Sequence, residues 1–347
     1  MTEKNINTES WESFLAERIR NPSIRKAATK YIDKLAAAGV PPIFDFEQLS
    51  ELVGVNRGIL AGFLENAEAF YRSFTIPKQN GGLREISSPT PTLLMIQKWI
   101  KENILDAIPI HEAAHGFVKG RSVITFAKPH VNKVALLHID VSDFFPSISL
   151  QKVYIMFRNV GYAPNVSLFL ARLCCAGGRL PQGAPTSPSI SNIVFSRIDA
   201  RLTGLARAAN LDYTRYADNI VLSGRYINAR LIESISDILL DQSFEINQKK
   251  TYLSTRNGKR IIAGISVAGE RPSLPRETKR NLRQQVFGLL KYGFFDHTAH
   301  IGDLDPIYTE RLLGRLLFWQ HVEPHSKFAT SAIQSIRNVQ TALDYEA

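Results

Sequence analysis

Cysteine is scarce in this sequence. Cys174 and Cys175 are its only two, adjacent inside an apolar segment. Neighbouring cysteines rarely close a disulfide and offer too few ligands for a metal set, so a disulfide framework and a zinc module are both excluded. Two buried free thiols remain, a usage that suits a reducing cytoplasm. Long apolar runs are lacking as well, and none approaches the roughly 20 residues that span a bilayer. Met1-Thr2-Glu3-Lys4-Asn5 has no signal-peptide pattern, so a cytoplasmic chain with no membrane partner is expected. No internal repeat or low-complexity tract occurs, which excludes a solenoid array.

Acidic charge is the other shortfall. The 32 acidic residues stand against 42 basic ones, a formal charge of +10 at pH 7. A surplus of that sign fits a polyphosphate partner, because each neutralised phosphate releases condensed counterions. With 347 residues and 44% hydrophobic content, the chain can bury a large core and fold into more than one lobe.

Against this background one stretch stands out, Tyr216-Ala217-Asp218-Asn219. Apolar and β-branched residues flank it on both sides, so it reads as a hairpin with Ala-Asp-Asn at the tip. Taken alone it is equally an ordinary surface turn, since Asp and Asn tolerate a left-handed backbone. A second stretch, Leu136-Leu137-His138-Ile139-Asp140, reads as a buried strand ending in a carboxylate and runs on into Val141-Ser142-Asp143-Phe144-Phe145-Pro146. Phosphoryl transfer by two metal ions needs carboxylates from separate strand ends, converging where a pair of Mg²⁺ can bridge them. Between the two lies Leu180-Pro181-Gln182-Gly183-Ala184-Pro185-Thr186-Ser187-Pro188, a rigid turn leading into a helix.

In this order, the Asp-x-x-x-Phe-Phe strand end, the Pro-Gln-Gly turn and the Tyr-Ala-Asp hairpin resemble a reverse transcriptase. The details Phe-Phe-Pro-Ser, Gly-Ala-Pro-Thr-Ser-Pro and Tyr-Thr-Arg-Tyr-Ala-Asp are most similar to the bacterial retron type. The resemblance covers about residues 70 to 320. It implies an α+β right-hand polymerase: a helical N-terminal extension over 1–70, fingers and an antiparallel-sheet palm over 71–255, and a small helical thumb over 256–347. The implied activity is RNA-directed DNA polymerase, with two Mg²⁺ on Asp140 and Asp218 and Mn²⁺ as an alternative ion. The implied partners are a structured noncoding RNA, its DNA product, deoxynucleoside triphosphates and a separately encoded effector of anti-phage defence.

The remaining roles carry over residue by residue. Lys78 and Arg84 flank an Asn-Gly hairpin tip and match the fingertip cations on the incoming triphosphate; the plain alternative is two solvated charges. Phe145 matches the bulky position under the nucleotide sugar, where a ring excludes a 2′-OH, though a core aromatic would look the same. Asp143 either lies near the metals or caps the turn. Gln182 and Gly183 line the nucleotide and template-base pocket, and Tyr216 contacts nucleic acid. Lys250, in Asn247-Gln248-Lys249-Lys250-Thr251, fits the lysine near the pyrophosphate that acts as general acid, or is one of two solvated lysines. Lys119 and Arg121, in a glycine-punctuated loop, resemble the template-contacting loop. Arg276, Lys279, Arg280 and Arg283 fall on one helical face that would track an RNA–DNA duplex in a thumb, or simply be solvated.

Three positions depart from the family. Asn219 replaces the usual second Asp and leaves the site one negative charge short. At an effective dielectric of about 20 and roughly 4 Å, each lost charge–charge interaction is about 4 kcal/mol. Phe126 stands where retron enzymes carry the Asn of an Asn-Ala-x-x-His element, of which Ala127 and His130 remain; otherwise His130 is a loop residue. Ala263 replaces the Thr of a Val-Thr-Gly element. Phe126 and Ala263 favour a non-retron bacterial reverse transcriptase as the rival reading. Asn219 favours a catalytically weak nucleic-acid-binding scaffold.

Overall fold

In a computed structural model of the protein, residues 8–77, 81–255, 258 and 260–346 are described. The first helices are α1 (Thr8–Arg18), α2 (Pro22–Ala37), α3 (Phe46–Val53) and α4 (Arg57–Glu65). Side-chain caps set three of their starts: Asn21 accepts from the Ser23 amide, Asp45 from the Gln48 amide and Asn56 from the Gly58 amide. Each cap satisfies a donor that the first helical turn leaves open. Leu35, Leu49, Leu60 and Phe63 are buried in one core with Leu137, Ile139 and Ile220. The N-terminal segment is thus packed into the same core as the strands that carry the site.

A hairpin of β1 (Tyr71–Pro77) and β2 (Leu83–Pro89) follows, then α5 (Pro91–Asn103) and the short α6 (Val123–Ala127). The expectation for Lys78 lies outside the described residues. Next come β3 (Ala135–Asp140), α7 (Leu150–Val160), α8 (Pro164–Cys174), α9 (Ser187–Ala208), β4 (Asp212–Tyr216), β5 (Asn219–Gly224), α10 (Ala229–Leu240) and β6 (Tyr252–Ser254). Among the described residues, β3 to β6 form an antiparallel sheet in the order β4-β5-β3-β6.

Both faces of this sheet are covered, which explains why β3 opens on three successive apolar residues, Ala135, Leu136 and Leu137. Leu137 and Ile139, with Ile220 and Leu222 of β5, face a core built with Val153, Phe157, Phe195, Leu202 and Ile235. Leu136 and Val221 point the other way, into a second core. Alternate strand residues facing opposite sides is the two-residue period of a pleated strand. The second core belongs to the C-terminal part: the small hairpin β7 (Ile261–Ile262) and β8 (Ile265–Ser266), then α11 (Arg276–Ile301), α12 (Tyr308–Val322) and α13 (Lys327–Glu346). The backbone of α11 breaks at Gly293, where φ is 77°. The result is a mixed α+β fold. Cys174 and Cys175 are buried free thiols, and no helix among the described residues is long and apolar enough to cross a membrane.

His130 corrects the loop reading: it is completely buried. Its Nδ1 meets the Ser223 hydroxyl of β5 at 2.6 Å and its Nε2 the Thr214 hydroxyl of β4 at 2.7 Å. Thr214 donates in turn to the Phe126 carbonyl at 3.0 Å, so Nε2–H is the donor to Thr214 and Nδ1 accepts from Ser223. The ring therefore ties the sheet to α6 in its neutral form. Burial is the main cause that pushes its pKa down to about 3, with the charges of His138, Lys133 and His115 adding to it. A histidine neutral in the fold but free to charge when unfolded withdraws stability as pH falls from about 6.5 towards that depressed value. At pH 5 the loss through His130 is roughly 2 kcal/mol. His130→Gln is expected to be less stable than wild type at pH 7, yet to lose less further stability between pH 6.5 and 4.5. Denaturant titrations at those three pH values check it, and parallel losses in both proteins would count against a neutral buried ring.

Candidate active site

β3 ends at Asp140, and the neighbouring β4–β5 hairpin turns at Ala217-Asp218. Asp140 faces Asn219 across the ladder, and the Val141 amide donates to the Asp218 carbonyl at 3.0 Å. Two carboxylates from separate strand ends thus meet at one end of the sheet. The left-handed residue of the turn is Ala217, at φ 53°, rather than the Asp or Asn beside it. That conformation costs a residue with a Cβ about 1–2 kcal/mol.

Burial first, and then the charge of Asp140, raise the Asp218 pKa, while Lys250 and Arg84 act in the opposite direction. Both cations are therefore within electrostatic reach of Asp218. The Lys250 Nζ donates to both oxygens of Asp140 at 3.1 and 3.0 Å. Its side chain is 59% exposed, so the pair contributes no more than about 1 kcal/mol and can open. The Asn219 amide donates to Asp218 Oδ1 at 3.1 Å. Among the described residues, no group of three or more His, Cys, Asp or Glu could hold a metal. Two carboxylates and the Asn219 amide oxygen still fit a hard divalent cation. The donors are all oxygens, and a bound cation would offset both the burial and the Asp140 charge that raise the Asp218 pKa.

The Pro-Gln-Gly turn is tied to the β1–β2 hairpin. The Ser87 amide of β2 donates to the Gln182 carbonyl at 2.8 Å, and Gly183 sits directly beneath Ser87. Phe145 is half-buried beside Phe144, with ring centroids 5.4 Å apart. Its other neighbour is Phe117, at 6.5 Å, which also lies 6.1 Å from Tyr216. Phe117 was not singled out from the sequence, yet it is exposed, has a left-handed φ of 61° and completes an aromatic trio beside the carboxylates. Asp143 is a turn residue: it is left-handed at φ 42°, and its carbonyl accepts from the Ser147 amide at 2.8 Å.

The basic residues divide. Lys119, Arg276 and Arg280 are exposed. Arg121 Nη1 donates to the carbonyls of His111, at 2.8 Å, Glu112, at 3.1 Å, and Ala114, so this nitrogen holds the loop in shape. The single basic face read from spacing on α11 is also split. Glu323 accepts the Leu274 amide at 2.8 Å and draws Lys279 into an ion pair at 3.0 Å, and Arg283 lies over the Trp319 and Phe328 rings. Sequence reading also missed Asp199 and Arg215, which are wholly buried and paired at 2.7 Å behind the hairpin. Their spacing carries no signal, because an Asp inside α9 and an Arg inside β4 look like ordinary surface charges until the two elements pack.

Two strand-end carboxylates within electrostatic reach of Arg84, near a turn tied to the β1–β2 hairpin, are an arrangement suited to nucleotidyl transfer of the polymerase kind. The family model of reverse transcriptase (RNA-dependent DNA polymerase) matches residues 76–282. The chain is 32% identical to the retron Ec86 reverse transcriptase of Escherichia coli over 73% of this chain and 80% of that protein. It is 31% identical to the retron Mx65 reverse transcriptase of Myxococcus xanthus, over 86% and 77% respectively. Among solved structures, a Candida albicans telomerase in complex with a fragment of telomeric RNA aligns over 78% of this chain and 63% of that one, at 11% identity and a TM-score of 0.43, too distant to argue from. The chain belongs to the reverse transcriptase family and, within it, is a retron-type RNA-directed DNA polymerase. The non-retron reading that Phe126 and Ala263 left open gives way to this. Its substrates are a nucleic-acid template and deoxynucleoside triphosphates, and its family works with divalent metal ions.

Proposed function

We propose that the chain extends a primer on a structured noncoding RNA, leaving RNA-linked single-stranded DNA, with Asp140 and Asp218 as its metal-binding pair. The observation that carries this reading is the meeting of these two carboxylates at adjacent strand ends, with the pKa of Asp218 raised in part by Asp140. Two Mg²⁺ ions, or Mn²⁺, would lower the pKa of the primer hydroxyl and offset charge on the departing pyrophosphate. Arg84, with Lys78, pairs with the triphosphate. Lys250, loosely held on Asp140, turns to the pyrophosphate and supplies a proton. Gln182 and Gly183 shape the pocket for the base pair, and Tyr216 meets the primer strand. Lys119, Arg276 and Arg280, with whatever donors Arg121, Lys279 and Arg283 keep free, follow the template and the duplex by backbone and shape.

In this reading the β1–β2 hairpin belongs to the fingers, the four-stranded sheet to a palm ending near 255, and α11 to α13 form the thumb, with residues 1–70 as an extension. The setting is the cytoplasm, and the product serves anti-phage defence with a separately encoded effector. Phe145 selects the sugar. Phe145→Ala is expected to raise ribonucleotide over deoxynucleotide incorporation by at least about tenfold, since a 2′-OH clash is removed. An unchanged ratio in a folded, active variant would assign Phe145 to packing alone. The overall reading is tested by sequencing the nucleic acid that copurifies with the protein and by primer extension on an RNA template. DNA covalently joined to one structured RNA supports it, and failure to extend any primed RNA would return the scaffold reading.

A further inference from the structure

We propose that Arg215 and Asp199 are positioning residues for Asp218, acting through the backbone of Ala217. The inference rests on Asp218 being a metal ligand.

Arg215 Nε donates to Asp199 Oδ1 at 2.8 Å and Nη2 to Oδ2 at 2.7 Å, and both side chains are 0% exposed. This two-point pairing fixes the guanidinium plane, which also lies 4.5 Å over the Phe195 ring. Asp199 is itself oriented by the Tyr213 hydroxyl, which donates to Oδ1 at 2.6 Å. The main chain of Arg215 is held too. Its amide donates to the Ala113 carbonyl and its carbonyl accepts from the His115 amide, both at 2.7 Å. One guanidinium nitrogen remains, and Nη1 donates to the Ala217 carbonyl at 3.1 Å.

That carbonyl belongs to the one residue of the turn with a left-handed backbone, immediately before Asp218. Without a partner, Ala217 would relax towards an ordinary conformation and carry Asp218 with it. A buried ion pair is a poor way to gain stability, because desolvation cancels most of the attraction and an apolar pair would pack as well. An apolar pair could not aim an N–H at the tip of the hairpin. The charge is explained by what it orients.

Lysine separates the two roles, since it neutralises Asp199 but has no planar fork to hold both the carboxylate and the Ala217 carbonyl. The experiment uses the full chain and measures Mn²⁺ binding by electron paramagnetic resonance beside steady-state primer extension. For Arg215→Lys, Mn²⁺ affinity is expected to fall about tenfold and kcat by roughly ten- to a hundredfold, with KM for the deoxynucleotide within about twofold of wild type. Tyr213→Phe, which only loosens Asp199, should shift Mn²⁺ affinity the same way by about threefold. Ile235→Ala, a core truncation in α10, serves as a destabilised control that should lower Tm and leave Mn²⁺ affinity intact. Wild-type Mn²⁺ binding in Arg215→Lys overturns the proposal, and so does an equal loss of Mn²⁺ affinity in Ile235→Ala. If Arg215→Lys does not fold, unchanged Mn²⁺ affinity in Tyr213→Phe overturns it instead. Asp218→Asn, measured alongside, separates the levels. Loss of Mn²⁺ there with retention in Arg215→Lys removes only the positioning role, whereas retention in Asp218→Asn removes the metal reading beneath it.

Discussion

Asp218→Asn is expected to lower primer extension by at least about a thousandfold, because removing a metal-binding charge forfeits several kcal/mol of transition-state stabilisation. The substitution is close to isosteric. The Asn219 amide that now donates to Asp218 Oδ1 finds an amide oxygen in its place, so the hairpin keeps its shape. RNA affinity should survive within about threefold, since the proposed RNA contacts are basic residues spread over the surface rather than these two carboxylates. Asp140→Asn should behave alike, with Lys250 left without its partner. Extension assays and RNA binding at fixed salt measure the two quantities. Extension within about tenfold of wild type would remove Asp218 from the chemistry.

Asp140 and Asp218 were legible in the sequence because strand periodicity and the local tip residues sufficed to place them. Asn219 was only half legible. The missing carboxylate reads as a charge deficit, yet the NH₂ group of Asn219 donates to Asp218, which is the arrangement of a site adapted to an amide. An Asp there would exchange that hydrogen bond for repulsion beside a carboxyl whose pKa is already raised. His130, Asp199 and Arg215 were not legible in role. Their partners lie on other elements, and no local period records which buried polar groups will satisfy one another once the elements pack. The same holds for Lys279, whose spacing suggests solvent until Glu323 arrives from the end of α12.

Gly183 shows the same limit at a residue whose importance was plain but whose reason was not. Its φ is 130°, a region that residues with a Cβ rarely adopt. An added Cβ would lie 2.7 Å from the Ser87 carbonyl oxygen and 2.9 Å from Ile86 Cγ2. A side chain can rotate away, but the Ser87 oxygen belongs to β2 and moves only if the hairpin moves. That strand carries Arg84, and the neighbouring Ser87 amide holds Gln182 at 2.8 Å. Gly183→Ala should therefore part the Pro-Gln-Gly turn from the hairpin and misplace Gln182 and Arg84 together. Displacement of about 1 Å at a reacting centre costs roughly a hundredfold, and the loss should appear in kcat/KM for the incoming nucleotide. RNA binding and Mn²⁺ affinity should change little, since neither uses this contact. Trimming Ile86 to Ala in the same chain relieves one clash but not the one with backbone, so it should restore less than half of the lost free energy. Single-nucleotide incorporation kinetics on a primed RNA template give the answer. A wild-type kcat/KM for the nucleotide in Gly183→Ala would mean that the turn does not set the register of the hairpin over the pocket.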